Sequence, residues 1–196
     1  MASIDIYPTQ DGFWSYIEAT GCAGTNTTGT TFTISDNHSV GSPAESYGGL
    51  EFDLSGIPVG STINTVSLRT YAHSFSKTRG LSVTWTVVYY YQTMVLGANP
   101  FTCTEFFGGT LDGSLNWSGT VGWKAKSIST AAITPGGNVS FRLQAGWRHV
   151  ASGKYAAAEA RAVEYAGTSS DPILRIDYTP PSVGGPPLRT LMGVGL

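Results

Sequence analysis

Leu50-Glu51-Phe52-Asp53-Leu54-Ser55-Gly56-Ile57-Pro58-Val59-Gly60-Ser61-Thr62-Ile63, running into Val66-Ser67-Leu68-Arg69-Thr70-Tyr71, reads as two strands joined by a Pro/Gly turn. Leu50, Phe52 and Leu54 alternate with Glu51 and Asp53, the two-residue period that gathers one set of side chains on a buried sheet face. Pro58 pre-sets a turn dihedral, and Gly60 supplies the backbone freedom of a tight reversal. A second block, from Glu164-Tyr165 through Asp171-Pro172-Ile173-Leu174-Arg175-Ile176-Asp177-Tyr178, repeats the alternation in Leu174, Ile176 and Tyr178. Between them, Leu81, Val83, Trp85, Val87, Tyr89 and Tyr91 predict one face of a long strand. Val139, Phe141, Leu143, Ala145 and Trp147 predict another, with Ser140, Arg142 and Gln144 on its wet side. Tyr155 to Ala162 could be a short helical turn or a strand of small side chains; the spacing favours the strand.

Turn-formers separate these runs: Gly48-Gly49, Pro58-Val59-Gly60, Gly108-Gly109, Asp112-Gly113 and Pro135-Gly136-Gly137-Asn138. The expected fold is all-β: an antiparallel β-sandwich of jelly-roll type with an extended C-terminal arm. With 196 residues in all, 1–179 form the sandwich and 180–196 the arm. Thr179-Pro180-Pro181-Ser182-Val183-Gly184-Gly185-Pro186-Pro187 is a proline-stiffened linker that cannot enter a sheet interior. Leu188, Arg189, Leu191, Met192, Val194 and Leu196 follow it in a mostly apolar tail, which predicts a contact site.

Only 12% of the residues are charged, about half the usual ~25% share, while 41% are hydrophobic and can build a core. A net charge of −2 supplies no basic stripe, so nucleic acid is not an expected partner. No apolar run approaches the ~20 residues of a membrane-spanning helix. The start, Met1-Ala2-Ser3-Ile4-Asp5-Ile6, lacks a leader's charge and apolar run, so the four Asn-x-Ser/Thr triplets at Asn26, Asn37, Asn116 and Asn138 read as chance. Cys22 and Cys103 are too few for a disulfide framework and too far apart for a metal knuckle, which predicts structural roles.

The segment from Leu50 to Ile63 with Val66 to Tyr71 resembles the DNRLRE-type domain, among the jelly-roll carbohydrate-binding modules related to the disaggregatase repeat. That family's pattern is Phe-Asp-Leu-Ser-x-Ile-Pro-x-Gly-x-x-Ile, then an apolar strand. It closes on a Glu, a Pro-x-Leu and a strand ending in Tyr, places taken here by Glu164, Pro172, Leu174 and Tyr178. Trp123 and Ile128 take its mid-domain Trp and the following apolar position. Gly48-Gly49 stand where the family carries an Arg. The resemblance implies a jelly roll between Asp11 and Tyr178; it brings no sugar-binding residues with it.

No catalytic constellation is visible. His38, His73 and His149 are scattered and show no metal spacing, with Arg69 the conspicuous sequence neighbour of His73. Glu51 and Asp53 share a strand side at ~7 Å, a spacing read as a solvated face or calcium ligands before a hydrolase pair. Without a dense Asp/Asn loop, no metal or other cofactor is expected, although a structural calcium would suit a jelly roll. Trp85 and Trp147 lie on apolar strand faces and read as core. Trp14, Trp117 and Trp123 lie in Gly/Ser/Asn-rich surroundings and are the candidate surface aromatics, able to stack on a sugar or anchor a protein. The expectation is a non-enzymatic virion protein, a phage head-decoration or tail/fibre component, binding other virion proteins and its own copies. The alternative is an extracellular carbohydrate-binding module with a glycan partner.

Overall fold

The computed structural model describes residues 1–17, 21–26, 31–38, 44–92, 109–147, 153–162 and 168–182; at positions 10, 12–17, 21–26, 38 and 168 the description is of the backbone. Twelve strands span these residues: β1 (Ala2–Ile6), β2 (Gln10–Ile17), β3 (Gly21–Asn26), β4 (Thr31–His38), β5 (Ala44–Asp53), β6 (Thr62–Lys77), β7 (Thr86–Gln92), β8 (Thr110–Asn116), β9 (Gly122–Ser127), β10 (Asn138–Ala145), β11 (Lys154–Arg161) and β12 (Ile173–Thr179). Two short 3-10 turns, Thr130–Ala132 and Thr168–Ser170, are the only helical pieces among the described residues. The fold is an all-β antiparallel sandwich of the jelly-roll kind.

Strands follow the path β1-β12-β6-β11-β4-β5-β10-β7-β8, with β2 and β3 added at β5 and β9 at β6. Two long strands make the sheet curl. β5 carries β2 along one edge, while its other edge serves β4 at Ala44–Ser46 and β10 from Gly48 onward. β6 likewise serves β12 and then β11 on one edge and β9 on the other. A strand shared in this way passes from one layer to the next. The register shift beside Ala160 bends the β6–β11 pair at that crossing.

One core fills the curl. Phe32, Ile34, Leu50, Phe52, Leu68, Val87, Tyr89, Val139, Phe141, Leu143, Leu174 and Ile176 are all fully buried. The deciding stretch behaves as read: Leu54 and Ile57 are sealed in, and Ser61 N–H donates to Pro58 O at 3.1 Å across the turn. Residues 154–161 form a strand, and its alanines make room. Ala158 faces Ile34 on one side and Phe75 on the other, while Ala160 faces Phe32.

Four expectations need correction. Gly48-Gly49 is no turn but the middle of β5, where Gly48 presses against the Phe32 ring. Asp112-Gly113 likewise lies inside β8, beside a register shift at which Gly113 takes φ 106°. The strand read from Leu81 begins its ladder only at Thr86, because Thr86 N–H turns back to Thr84 O at 2.7 Å. A fourth correction concerns β10, whose supposed wet face is buried as well: Ser140, Arg142 and Gln144 are all 6% exposed or less.

The two layers are clamped where β8 meets β9. Lys126 Nζ lies 2.7 Å from Asp112 Oδ2, and Asp112 Oδ1 accepts the Ser129 backbone N–H at 2.7 Å. A carboxylate this enclosed needs both partners, since an uncompensated buried charge is costly.

Candidate functional site

Three surfaces stand out by their chemistry. The first is one end of the sandwich, built by the turn after β5, the turn before β10 and the chain leaving β12. Leu54 N–H donates to Gly137 O at 2.8 Å and Gly136 N–H to Leu54 O at 3.1 Å, so the two turns are stitched together. Asp53 fixes the first turn from its carboxylate, which accepts the Ser55 backbone N–H at 2.8 Å and the Ser55 hydroxyl at 2.9 Å. Gly136 at φ 76° leaves space for Val59, whose Cγ2 would stand 2.8 Å from any added Cβ. The turn thereby holds Val59 outward at 79% exposure, with exposed Pro58 beside it. Pro181 lies over Gly60, so the chain departs toward residue 183 at this same end. The pairing of Ala2 with Tyr178 puts the highly exposed Met1 there too.

The second surface lies outside β6 and β9. Tyr71 and Trp123 are cross-strand partners whose rings meet edge to face at 5.6 Å. The Arg69 guanidinium sits 4.7 Å from the Trp123 ring centre, a cation–π arrangement. Trp123, Tyr71 and Arg69 are all half-buried, so their outer parts meet solvent. Arg69 is thus engaged with Trp123, while His73 lies two residues past Tyr71, near the register shift of β6.

The third is the outer face of β5, β10 and β7. Arg142 stacks on the Tyr90 ring at 3.9 Å, Glu51 accepts from Asn138 Nδ2 at 3.4 Å, and the Tyr47 hydroxyl donates to the Glu45 carboxylate. Glu51 is buried whereas Asp53 is exposed in its turn, so the two do not act as a solvated pair. Sequence reasoning missed this cluster because polar alternation looks the same whether the polar side meets water or is covered.

Of the three candidate surface tryptophans, only Trp123 reaches the surface within the described residues. Trp117 is fully buried. The turn at 117–120 directs it inward, where Nε1 donates to the Tyr89 hydroxyl at 2.9 Å and its ring stands edge-on to Phe75 at 6.4 Å. Ser118 at φ 53° and Gly119 at φ 62° make that turn, so its polar composition reported the backbone rather than the Trp side chain. Burial holds the Tyr89 phenol protonated far above its ordinary range, against the lowering effect of its Trp117 and Thr70 hydrogen bonds. Trp85 and Trp147 lie in the core as read, rings 5.1 Å apart.

Trp14 lies on β2 opposite Tyr47, but its side chain falls outside the description, as does that of Cys22 on β3. Cys103, His149, Glu164 and the whole of Leu188, Arg189, Leu191, Met192, Val194 and Leu196 lie outside the described residues. Among the described residues no three His, Cys, Asp or Glu side chains gather into a metal-binding group. No known protein family matches the chain, and no curated protein matches it.

Proposed function

We propose that this protein is a non-enzymatic structural component of a virion, a phage head-decoration or tail/fibre protein, that docks through one end of its sandwich and the segment 188–196. The observation that carries this reading is the coincidence of exposed apolar side chains with the point of chain departure. Val59 is held outward by a turn stitched to its neighbour, and Pro180 and Pro181 lead out beside it. A rigidly presented apolar side chain loses little entropy on docking, which favours an interface anchor. On the outer face of β1 and β12, Arg175 is already paired with Asp5 at 2.7 Å, which limits the bare charge that must be stripped of water on packing against a neighbour.

Purified particles from the source are expected to contain the chain as a stoichiometric constituent by mass spectrometry; its absence would end the reading. In particles rebuilt with Val59→Asp, occupancy should fall by about thirtyfold, the ~2 kcal/mol of an interface anchor. Thermal stability of the free protein should stay unchanged, because Val59 is already exposed.

A second reading, a carbohydrate-binding module, is favoured by the Tyr71–Trp123–Arg69 patch alone. An aromatic ring on a solvent-facing strand offers the apolar platform on which a sugar ring stacks. Under that reading a glycan array gives discrete hits that weaken about tenfold or more in Trp123→Ala, a stacking contribution of ~1.4 kcal/mol or above. A blank array retires it.

A further inference from the structure

The strand β1 pairs with β12 along one edge, and among the described residues nothing pairs with its other edge. Its inward side chains, Ile4 and Ile6, pack on the core but remain half-buried, whereas Leu174 and Ile176 on β12 are sealed. An open edge beside incompletely covered apolar side chains is the condition under which a further strand is added. Backbone groups pair, and alternate side chains finish the cover.

The other open edges among the described residues that show their side chains are guarded. On β9, Lys124 and Lys126 take the inward positions opposite Thr70 and Leu68, and lysine at an edge opposes strand addition. On β8, Asp112 is tied across to Lys126 and Ser129. β1 has no such device: Asp5 points to the outer face, where Arg175 takes both its oxygens at 2.7 and 2.8 Å.

A strand of suitable pattern exists in the same chain. In Leu188-Arg189-Thr190-Leu191-Met192-Gly193-Val194-Gly195-Leu196, residues 188, 192, 194 and 196 are apolar and share one side of an extended segment with Thr190. No acidic residue interrupts it. Direction then selects the donor. β12 runs toward the end where β1 begins, since Leu174 faces Ile6 and Tyr178 faces Ala2. A segment leaving Ser182 and entering the free edge of its own β1 through the short linker 183–187 would run parallel to β1. Every ladder among the described residues is antiparallel, the pairing that is more stable per residue. A segment arriving from another molecule meets no such restriction.

We infer that the free edge of β1 receives residues 188–196 of a second copy of this chain as an added antiparallel strand, so that the protein assembles with itself through an exchanged arm. This deepens the assembly reading and rests on it.

Hydrogen exchange of the full chain, followed from micromolar to near-millimolar concentration, tests it. Exchange of the Ala2–Ile6 amides is expected to slow about tenfold or more with rising concentration, as binding of a partner protects an edge. The slowing should vanish in the double variant Met192→Asp, Val194→Asp, and a synthetic peptide of residues 183–196 added to the unaltered chain should restore protection at low concentration. Protection that ignores concentration would return the segment to its own chain and overturn the exchange. Protection of β8 or β9 instead would overturn the choice of edge, and no change under any condition, peptide included, would overturn the proposal outright. A chain absent from particles but concentration-dependent here would sink the virion reading and leave the exchange standing; the reverse pair of results would do the opposite.

Discussion

Replacing Trp117 by alanine is expected to cost about 3–5 kcal/mol, the range for removing a sealed tryptophan from a core. The side chain is fully buried, and its backbone N–H also bonds to Trp85 O at 2.7 Å, so the turn cannot shift easily to fill the void. Phe75 stands between Trp117 and Trp85, 6.4 and 5.0 Å from their ring centres, and Trp85 meets Trp147, so the loss propagates along a chain of four aromatics. At roughly 2–4 °C per kcal/mol for a domain of this size, Tm should fall by about 6–20 °C in calorimetry. Trp117→Phe separates the hydrogen bond from the volume: it leaves the buried Tyr89 hydroxyl without its donor, at about 1–3 kcal/mol. Adding Tyr89→Phe removes both partners, so the double variant should cost less than the sum of its single changes. Strict additivity would show that the bond contributes nothing, and an unchanged Tm in Trp117→Ala would place the side chain elsewhere.

The second large effect is expected at Gly48. A Cβ there would stand 2.4 Å from Phe32 Cδ2 and 2.6 Å from Cε2, well inside contact distance. Phe32 is fully buried, and Gly48 faces Leu143, also sealed, on β10, so the ring has no free volume to enter. Gly48→Ala should therefore destabilise by about 1–3 kcal/mol despite the strand's general preference against glycine, and Gly48→Val by more. Denaturant melts decide the sign. Combining Gly48→Ala with Phe32→Leu should recover part of the loss, because the smaller side chain vacates the clash; no recovery would mean that the strain lies in the backbone instead.

Gly48 shows why parts of the fold resisted reading. In the sequence, Gly48-Gly49 before an apolar run looks like a turn, since glycine supplies conformational freedom wherever it occurs. Its role here is the missing side chain, and what that side chain would strike comes from β4, sixteen residues earlier. Asp112-Gly113 misleads in the same way, as a strand irregularity dressed as a turn. Pro58-Val59-Gly60 was legible because its whole mechanism is local: the proline, the glycine at φ 86° and the closing bond to Ser61 all fall within four residues. The candidate surfaces divide along the same line. Val59 on a Pro/Gly turn and the prolines after β12 were visible as chemistry, but that Pro181 lies over Gly60 at the same end depends on strand register. Trp117 and Trp123 sit in similar polar surroundings six residues apart, yet one is sealed and the other meets solvent. Turn handedness in one and strand parity in the other produce that difference.

Period-two alternation therefore established the class of fold and most of the core, from Leu50 and Phe52 through Val139 and Phe141 to Leu174 and Ile176, because a strand's side chains obey a strictly local rule. Which faces are doubly covered, which edges stay open and which tryptophan reaches water were settled by long-range pairing. β5 and β6 each serve two strands along one edge, and no window of neighbouring residues carries that information.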